Sequence, residues 1–183
     1  MMANLNKRFF LHSLNWGLIV AGVLILGQLL IYIFDVSVMN WVFNIFYQLL
    51  VVVFMVWMMA LASIKFRNKY LEKRIKFTQC LLMGLMIGSV ATVVYVLYTY
   101  LFNNFYDPDN LVRIKDEFVE MISNNDYIPD EKKEEIIANG VKGFTPMRIV
   151  IQSLTSMGIM TVVLSLIATL FVRKKEKVEE VPV

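Results

Sequence analysis

Four long apolar stretches, none of which contains Asp, Glu, Lys or Arg, dominate the pattern of the chain. They are Trp16–Phe34, Trp41–Ile64, Phe77–Leu101 and Ile149–Val172, each 19 to 25 residues long. A helix rises about 1.5 Å per residue, so stretches of this length can cross a hydrocarbon core of about 30 Å. Alternation typical of strands is absent, and lipid requires backbone groups to pair within one segment. The pattern therefore predicts four transmembrane helices.

The segment between the third and fourth stretches, residues 103–145, is amphipathic instead. Apolar residues recur at helical spacing between charged ones in Asp109–Ser123, which predicts a helix. Asp107-Pro108 before it is typical of a helix start, with an acceptor at the N-cap and proline at the first helical position. We therefore expect an amphipathic helix just outside the membrane.

A second, shorter helix is expected later in this segment. Pro129 favours a helix start, and Asn139-Gly140 favours a helix end. Thr145-Pro146 is typical of the cap and first residue of a helix, which extends the fourth span to residues 146–172. The predicted fold class is all-α, an integral membrane four-helix protein with an amphipathic helical hairpin between transmembrane helices 3 and 4.

The composition excludes an ordinary soluble domain. Of the 183 residues, 58% are apolar and 18% are charged, whereas soluble domains average about 45–50% apolar and about 25% charged residues. We expect a single transmembrane domain over residues 1–175 and a short flexible cytoplasmic tail over 176–183. The first stretch is longer than a signal-peptide core and ends without a small-residue cleavage site, so we expect it to be retained.

Basic residues are distributed unevenly among the polar segments. Lys7 and Arg8 precede the first stretch, the linker Lys65–Lys76 has six basic residues and one acid, and residues 173–177 have four basic residues. Residues 102–148 have six basic and ten acidic residues. Lysine and arginine favour the cytoplasmic side. We therefore expect both termini to be cytoplasmic, in a bacterial cytoplasmic (inner) membrane.

The partners expected from composition are lipids rather than nucleic acids. A basic linker beside a membrane is a topology signal and attracts anionic headgroups, so the expected partner is the lipid bilayer and no nucleic acid is expected. The outer segment 103–145 offers a second surface, which either caps the spans or binds a protein partner.

Sequence motifs for catalysis are absent, so we expect no enzyme, no cofactor and no metal. The chain has no G-x-S-x-G, H-E-x-x-H, Walker or G-x-G-x-x-G motif, and one cysteine and one histidine. Acidic pairs that could serve acid–base chemistry fall on the solvated faces of the two amphipathic helices. These acids are Glu117, Glu120, Glu134 and Glu135.

Polarity inside the spans consists of amides and hydroxyls. Asn44 and Gln48 are four residues apart and share a face of the second span, and Gln152 and Ser156 share a face of the fourth. Such groups most simply form hydrogen bonds between helices. The alternative is a polar lining for a small substrate, formed by these four side chains.

Small residues mark one face of the third span. Gly84 and Gly88 form a Gly-xxx-Gly motif, and Thr92 extends it by four residues. Small residues let helices approach closely and pack by dispersion. We expect this face to be used for helix packing, either within the bundle or against a second copy in a homodimer.

The order of these features resembles a known family. In chain order, the features are a first helix with Gly17, Gly22 and Gly27, a basic linker with Phe66 and Arg67, and a third helix ending in Tyr98, Tyr100 and Phe105. Asp107-Pro108, two acidic helices, and a last helix that opens with Thr-Pro and precedes Arg173-Lys174-Lys175 follow. From Leu5 to Lys175 the chain resembles the bacterial membrane family named domain of unknown function 4199, mainly found in Bacteroidetes. The resemblance implies a four-helix inner-membrane protein without an assigned activity, and it supplies no catalytic residue.

Three functional hypotheses remain open from the sequence. The first is a non-catalytic accessory, interaction or envelope scaffold protein, which the absence of catalytic motifs and the large outer segment favour. The alternative is a small transporter or channel-like protein with a polar lining from spans 2 and 4. A third, a membrane enzyme, needs the acids of the outer helices to meet in a cleft.

Overall fold

The computed structural model describes residues 2–72 and 74–172, and every regular element in them is helical. In chain order the helices are α1 (Met2–Ile33), α2 (Trp41–Tyr70), α3 (Phe77–Leu101), α4 (Asn110–Ser123), α5 (Asp130–Gly140) and α6 (Pro146–Val172). A π-helical turn, Phe102–Tyr106, continues α3, and a short 3-10 turn follows α5. The tail predicted over 176–183 lies outside the described residues.

Four of these helices are long and apolar enough to cross a membrane. Their spanning segments are Leu5–Ile33, Trp41–Tyr70, Phe77–Tyr106 and Pro146–Val172. The predicted fold class is confirmed: the chain is an all-α, multi-pass integral membrane protein. Below, the side of the bundle that bears α4 and α5 is called the hairpin side, and the side that bears residues 71–76 is called the linker side.

Two helices extend beyond the predicted apolar stretches on the linker side. Helix α1 begins at Met2 rather than Trp16, and α2 continues to Tyr70 rather than Ile64. The extra turns carry basic residues that lie against aromatic rings, with Arg8 Cζ 5.5 Å from the centroid of Tyr70. A helix does not have to end where its charges begin, because long basic side chains reach the interface from the helix end.

Helix α3 is the centre of the bundle, packed most extensively against α1 and α6. Glycines permit both contacts. A Cβ atom added to Gly17 of α1 would lie 2.7 Å from Val90 Cβ, and one added to Gly88 of α3 would lie 2.3 Å from Thr161 Cγ2. These backbones therefore approach more closely than larger residues would allow.

Polar contacts hold α4 and the turn before it to the end of α1 and the loop that follows α1. The Tyr32 hydroxyl donates a hydrogen bond to Asp107 Oδ2 at 2.8 Å, and the Ser37 hydroxyl donates one to Glu117 Oε2 at 2.7 Å. Helix α4 begins at Asn110, one residue after the predicted start, and Asp107 does not cap it as predicted. Instead Asp107 accepts the tyrosine hydroxyl, a partner 75 positions away in sequence.

Helix α5 lies outboard of α4 and has no buried residue. It ends close to the predicted position, but Gly140 keeps a helical φ of −64° rather than a left-handed one. The Phe118 ring of α4 lies over this glycine, and an added Cβ would lie 2.4 Å from Cε1, so a larger residue would displace the ring. At the other end of α5, the Lys133 ammonium 2.9 Å from Asp130 lowers the pKa of that carboxyl.

Candidate functional site

A cleft of about 460 Å³ with a partly polar lining lies between α2 and α6, here called the α2–α6 cleft. Its floor is formed by α1 and α3. The lining residues are Leu24, Tyr47, Gln48, Val51, Val52, Met55, Tyr95, Ile149, Gln152, Ser153, Ser156, Met157 and Met160. A volume of this size falls within the range of about 300–1,000 Å³ that is typical of small-molecule sites.

The cleft exists because α2 and α6 pack together on the linker side and separate on the hairpin side. On the linker side, Ser165 Oγ lies 3.8 Å from Met59 Sδ, and Arg67 Nη1 donates a hydrogen bond to the Val172 carbonyl at 3.1 Å. On the hairpin side, neither residues 41–54 of α2 nor residues 146–160 of α6 include a buried residue. Two helices that touch at one end therefore leave a wedge at the other.

Three of the four polar residues proposed as a lining meet in this cleft. Gln48 comes from α2, and Gln152 and Ser156 come from α6. Asn44, the fourth, is not among the lining residues. It supports Gln48 instead, because Asn44 Oδ1 accepts a hydrogen bond from Gln48 Nε2 at 2.7 Å while Asn44 Nδ2 donates to the Val38 carbonyl at 3.2 Å.

Three of the four hydroxyls of α6 outside the cleft donate to the helix backbone, and the fourth, on the buried Thr161, has no partner among the described residues. Thr155 Oγ1 donates to the Ile151 carbonyl at 2.9 Å, and Ser165 Oγ donates to the Thr161 carbonyl at 2.6 Å. Within the described part of the chain, no such bond is made by the side chains of Gln152, Ser153 and Ser156. Their donors and acceptors are free to bind something in the cleft.

Two aromatic side chains that form walls of the cleft were not predicted from the sequence. Tyr47 lies beside Gln48 on α2, and Tyr95 reaches in from α3, where its hydroxyl donates to Gln28 Oε1 at 3.3 Å. Tyr47 falls on the i,i+4 ridge with Val51 and Met55, which could have indicated a shared face. No local pattern could have identified Tyr95, because its place depends on how α3 packs.

Charged groups are absent from the described lining of the cleft. Within residues 2–72 and 74–172, no group of three or more His, Cys, Asp or Glu side chains is placed to hold a metal ion. The acids considered for catalysis lie elsewhere, on α4 and α5. Glu117 accepts from Ser37, Glu120 lines a shallow surface depression near Trp41, and Glu134 and Glu135 are exposed.

The small face of α3 lies within the bundle, against α6. Gly84 faces Ser165 and Gly88 faces Thr161, where added Cβ atoms would lie 2.8 Å from Ser165 Oγ and 2.3 Å from Thr161 Cγ2. Thr92 is also buried, and among the described residues its hydroxyl has no hydrogen-bond partner. The two glycines are thus occupied by a helix of the same chain.

Comparison with known families gives a match along most of the chain. Residues 15–174 match the family described as "Protein of unknown function (DUF4199)". The chain belongs to the DUF4199 family. This confirms the resemblance seen in the sequence. Searches of curated proteins and of solved structures gave no match for this DUF4199 protein.

Proposed function

We propose that this DUF4199 protein is a non-catalytic membrane protein that binds an uncharged ligand in the α2–α6 cleft, in the manner of a small transporter or a membrane receptor. One observation carries the proposal: polar side chains from two apolar helices, each long enough to span a membrane, face one cleft, and those from α6 lack partners among the described residues. A polar group left unsatisfied in hydrocarbon costs several kcal/mol. A ligand or water that binds these groups removes that cost.

The shape of the cleft favours binding over free passage. The Met59–Ser165 and Arg67–Val172 contacts close the linker-side halves of α2 and α6. A channel would need a continuous polar path, whereas this arrangement is open on one side and closed on the other. Transport would therefore require the linker-side contacts to separate after a ligand has bound.

Alkylation of cysteine tests whether the cleft admits water. In a Cys80→Ala background reconstituted in nanodiscs, we expect Ser156→Cys to react with a polar maleimide at least about tenfold faster than Thr155→Cys. Thr155 is the matched control because it is adjacent on α6 and exposed on the helix surface but is not a cleft residue. Equal, slow reaction of both variants would mean that no water reaches Ser156, and would overturn the proposal.

A second role, in protein interaction, is supported by the hairpin. Helix α5 has no buried residue, and the tip residue Tyr127 between α4 and α5 is 97% exposed. Val112 and Met121 of α4 also present apolar surface. If segment 103–145 binds a partner, a photoreactive residue in place of Tyr127 should cross-link to that partner. The control is the same photoreactive residue in place of the exposed Glu135; equal cross-linking from both positions would argue against a specific contact.

The orientation that we propose puts both termini and the linker side in the cytoplasm of a bacterial inner membrane. Its support is the excess of lysine and arginine in the linker over the hairpin segment. Reporter fusions after Val183 and within residues 124–126 test it. Cytoplasmic fluorescence from the first fusion and periplasmic phosphatase activity from the second are expected, and the reverse pattern would contradict it.

A further inference from the structure

We propose that the α2–α6 cleft takes a neutral, membrane-dissolved ring compound with carbonyl or hydroxyl oxygens, of the quinone class, which enters from the bilayer. This inference rests on the proposed binding function of the cleft and names its ligand. Charge, depth, shape and hydrogen-bond capacity of the lining carry it.

The first step concerns charge. All 13 lining residues are uncharged, with amides and hydroxyls as their polar groups. A charged ligand at membrane depth needs a countercharge or a water-filled surround, because ions in hydrocarbon are costly. The lining supplies no countercharge, so the cleft favours a neutral molecule.

The second step concerns depth. Gln48 follows the start of α2 by seven residues, and Gln152 and Ser156 follow the start of α6 by six and ten residues. At about 1.5 Å per residue these groups lie about 9 to 15 Å along the helices from their hairpin-side ends. The charge-free stretches begin at Trp41 and Ile149, so Gln152 lies three residues inside them and Gln48 and Ser156 lie seven, about 5 to 10 Å. Gln48 and Ser156 are therefore in the outer part of a hydrocarbon core of about 30 Å, and Gln152 is close to its boundary.

Depth separates two kinds of neutral ligand. A glyceride or glycolipid keeps its polar part at the interface, near Gln152, and offers only alkyl chain at the depth of Gln48 and Ser156. A ring compound with carbonyl or phenol oxygens dissolves in the hydrocarbon itself and carries its polar atoms to that depth. The positions of Gln48 and Ser156 therefore favour the ring compound.

The third step concerns shape. The rings of Tyr47 and Tyr95 lie on the wall near Gln48, and Met55, Met157 and Met160 line the deeper part. Aromatic rings stack or pack edge to face with a flat ligand, and thioethers make favourable contacts with ring edges. Because the hairpin-side halves of α2 and α6 are separate, an isoprenoid or alkyl tail can leave sideways into the bilayer.

The fourth step concerns hydrogen bonds. Gln48 donates one N–H to Asn44, which fixes the orientation of the Gln48 amide. The second N–H and the carbonyl oxygen of Gln48 remain available to a ligand. Across the cleft, α6 offers the amide of Gln152 and the hydroxyls of Ser153 and Ser156. Donors on opposite helices suit a ring with oxygens at opposite positions, which is the pattern of a para-quinone.

The test is photolabelling of the purified chain in phosphatidylcholine nanodiscs with an azido-quinone that bears a decyl tail. We expect saturable labelling on α2 and α6, removed by unlabelled decylquinone but not by monoolein or decanoate. Gln152→Leu, Gln48→Leu and Ser156→Ala should each weaken apparent affinity by about three- to tenfold, since each removes one hydrogen bond. Thr155→Val is the matched control and should leave it unchanged.

The outcomes separate this inference from the proposed function. Labelling that monoolein competes away equally, or that is unchanged in all three cleft variants, would overturn the quinone class. Absent labelling together with fast alkylation of Ser156→Cys would also overturn the class but leave a water-accessible binding cleft. Slow alkylation of Ser156→Cys would overturn the cleft function itself.

Discussion

Single side chains set how closely α3 and α6 approach. Gly84 and Gly88 let the α6 backbone come near enough for Ser165 and Thr161 to fill the space that side chains on α3 would occupy. The sequence predicted the small face of α3 from the Gly-xxx-Gly spacing. It could not predict the partner, because Ser165 and Thr161 have no distinctive local pattern and are matched to the glycines only by the packing of the whole bundle.

Two glycine substitutions should therefore have opposite effects. Gly88→Ala adds a Cβ that would lie 2.3 Å from Thr161 Cγ2, whereas the Cβ added by Gly158→Ala meets nothing within 4 Å. We expect Gly88→Ala to lower the free energy of unfolding by about 1–3 kcal/mol through overpacking. Gly158→Ala should raise it by about 0.5–1 kcal/mol through a smaller loss of backbone entropy.

Thermal unfolding in a mild detergent measures both variants under the same conditions. A Gly88→Ala protein as stable as the parent would show that α3 and α6 are not in close contact. Loss of stability in Gly158→Ala would show that this part of α6 is packed rather than open.

At the scale of elements, the predictions were most accurate for α3 and α6. The charge-free pattern matched the bounds of α3, and Thr145-Pro146 marked the start of α6. The same pattern placed the end of α2 too early, at Ile64, because the helix continues through basic residues to Tyr70. The start of α4 was predicted to within one residue, but the predicted cap was wrong: Asp107 is bound by Tyr32 from a distant helix and does not cap α4.

The Tyr32–Asp107 contact should control the attachment of α4. Tyr32→Phe removes a hydrogen bond to a carboxylate, and bonds to a charged acceptor are stronger than bonds between neutral groups. We expect amide hydrogens of α4 to exchange about tenfold faster in this variant, as measured by mass spectrometry. Tyr127→Phe, at the 97% exposed tip, is the control; the same exchange in both variants would indicate that other contacts hold the helix.

At the scale of the whole molecule, the bundle is closed on the linker side and open on the hairpin side. Sequence patterns placed Gln48, Gln152 and Ser156 on helix faces but could not show that these faces meet, since the relative rotation of helices depends on packing along their full length. Asn44 illustrates the limit: it shares a face with Gln48, yet it supports that side chain instead of lining the cleft.

The buried Arg67 contributes to closure of the linker side. Its Nη1 donates a hydrogen bond to the Val172 carbonyl in the last turn of α6. A positive charge at this end of a helix also interacts favourably with the helix dipole. We expect Arg67→Gln to lower the free energy of unfolding by about 1.5–3 kcal/mol. Lys69→Gln, two residues along and exposed, should change it little; an equal effect of the two, in thermal unfolding, would contradict a specific role for Arg67.

Disulfide cross-linking between α2 and α6 tests the central claim most directly. In the Cys80→Ala background, mild oxidation should rapidly join Met59→Cys to Ser165→Cys, whose parent side chains are 3.8 Å apart. Gln48→Cys and Gln152→Cys, on opposite walls of the cleft, should resist oxidation and be joined only by a longer bifunctional reagent. If the second pair forms a disulfide as quickly as the first, α2 and α6 are in contact along their whole length and the cleft does not exist.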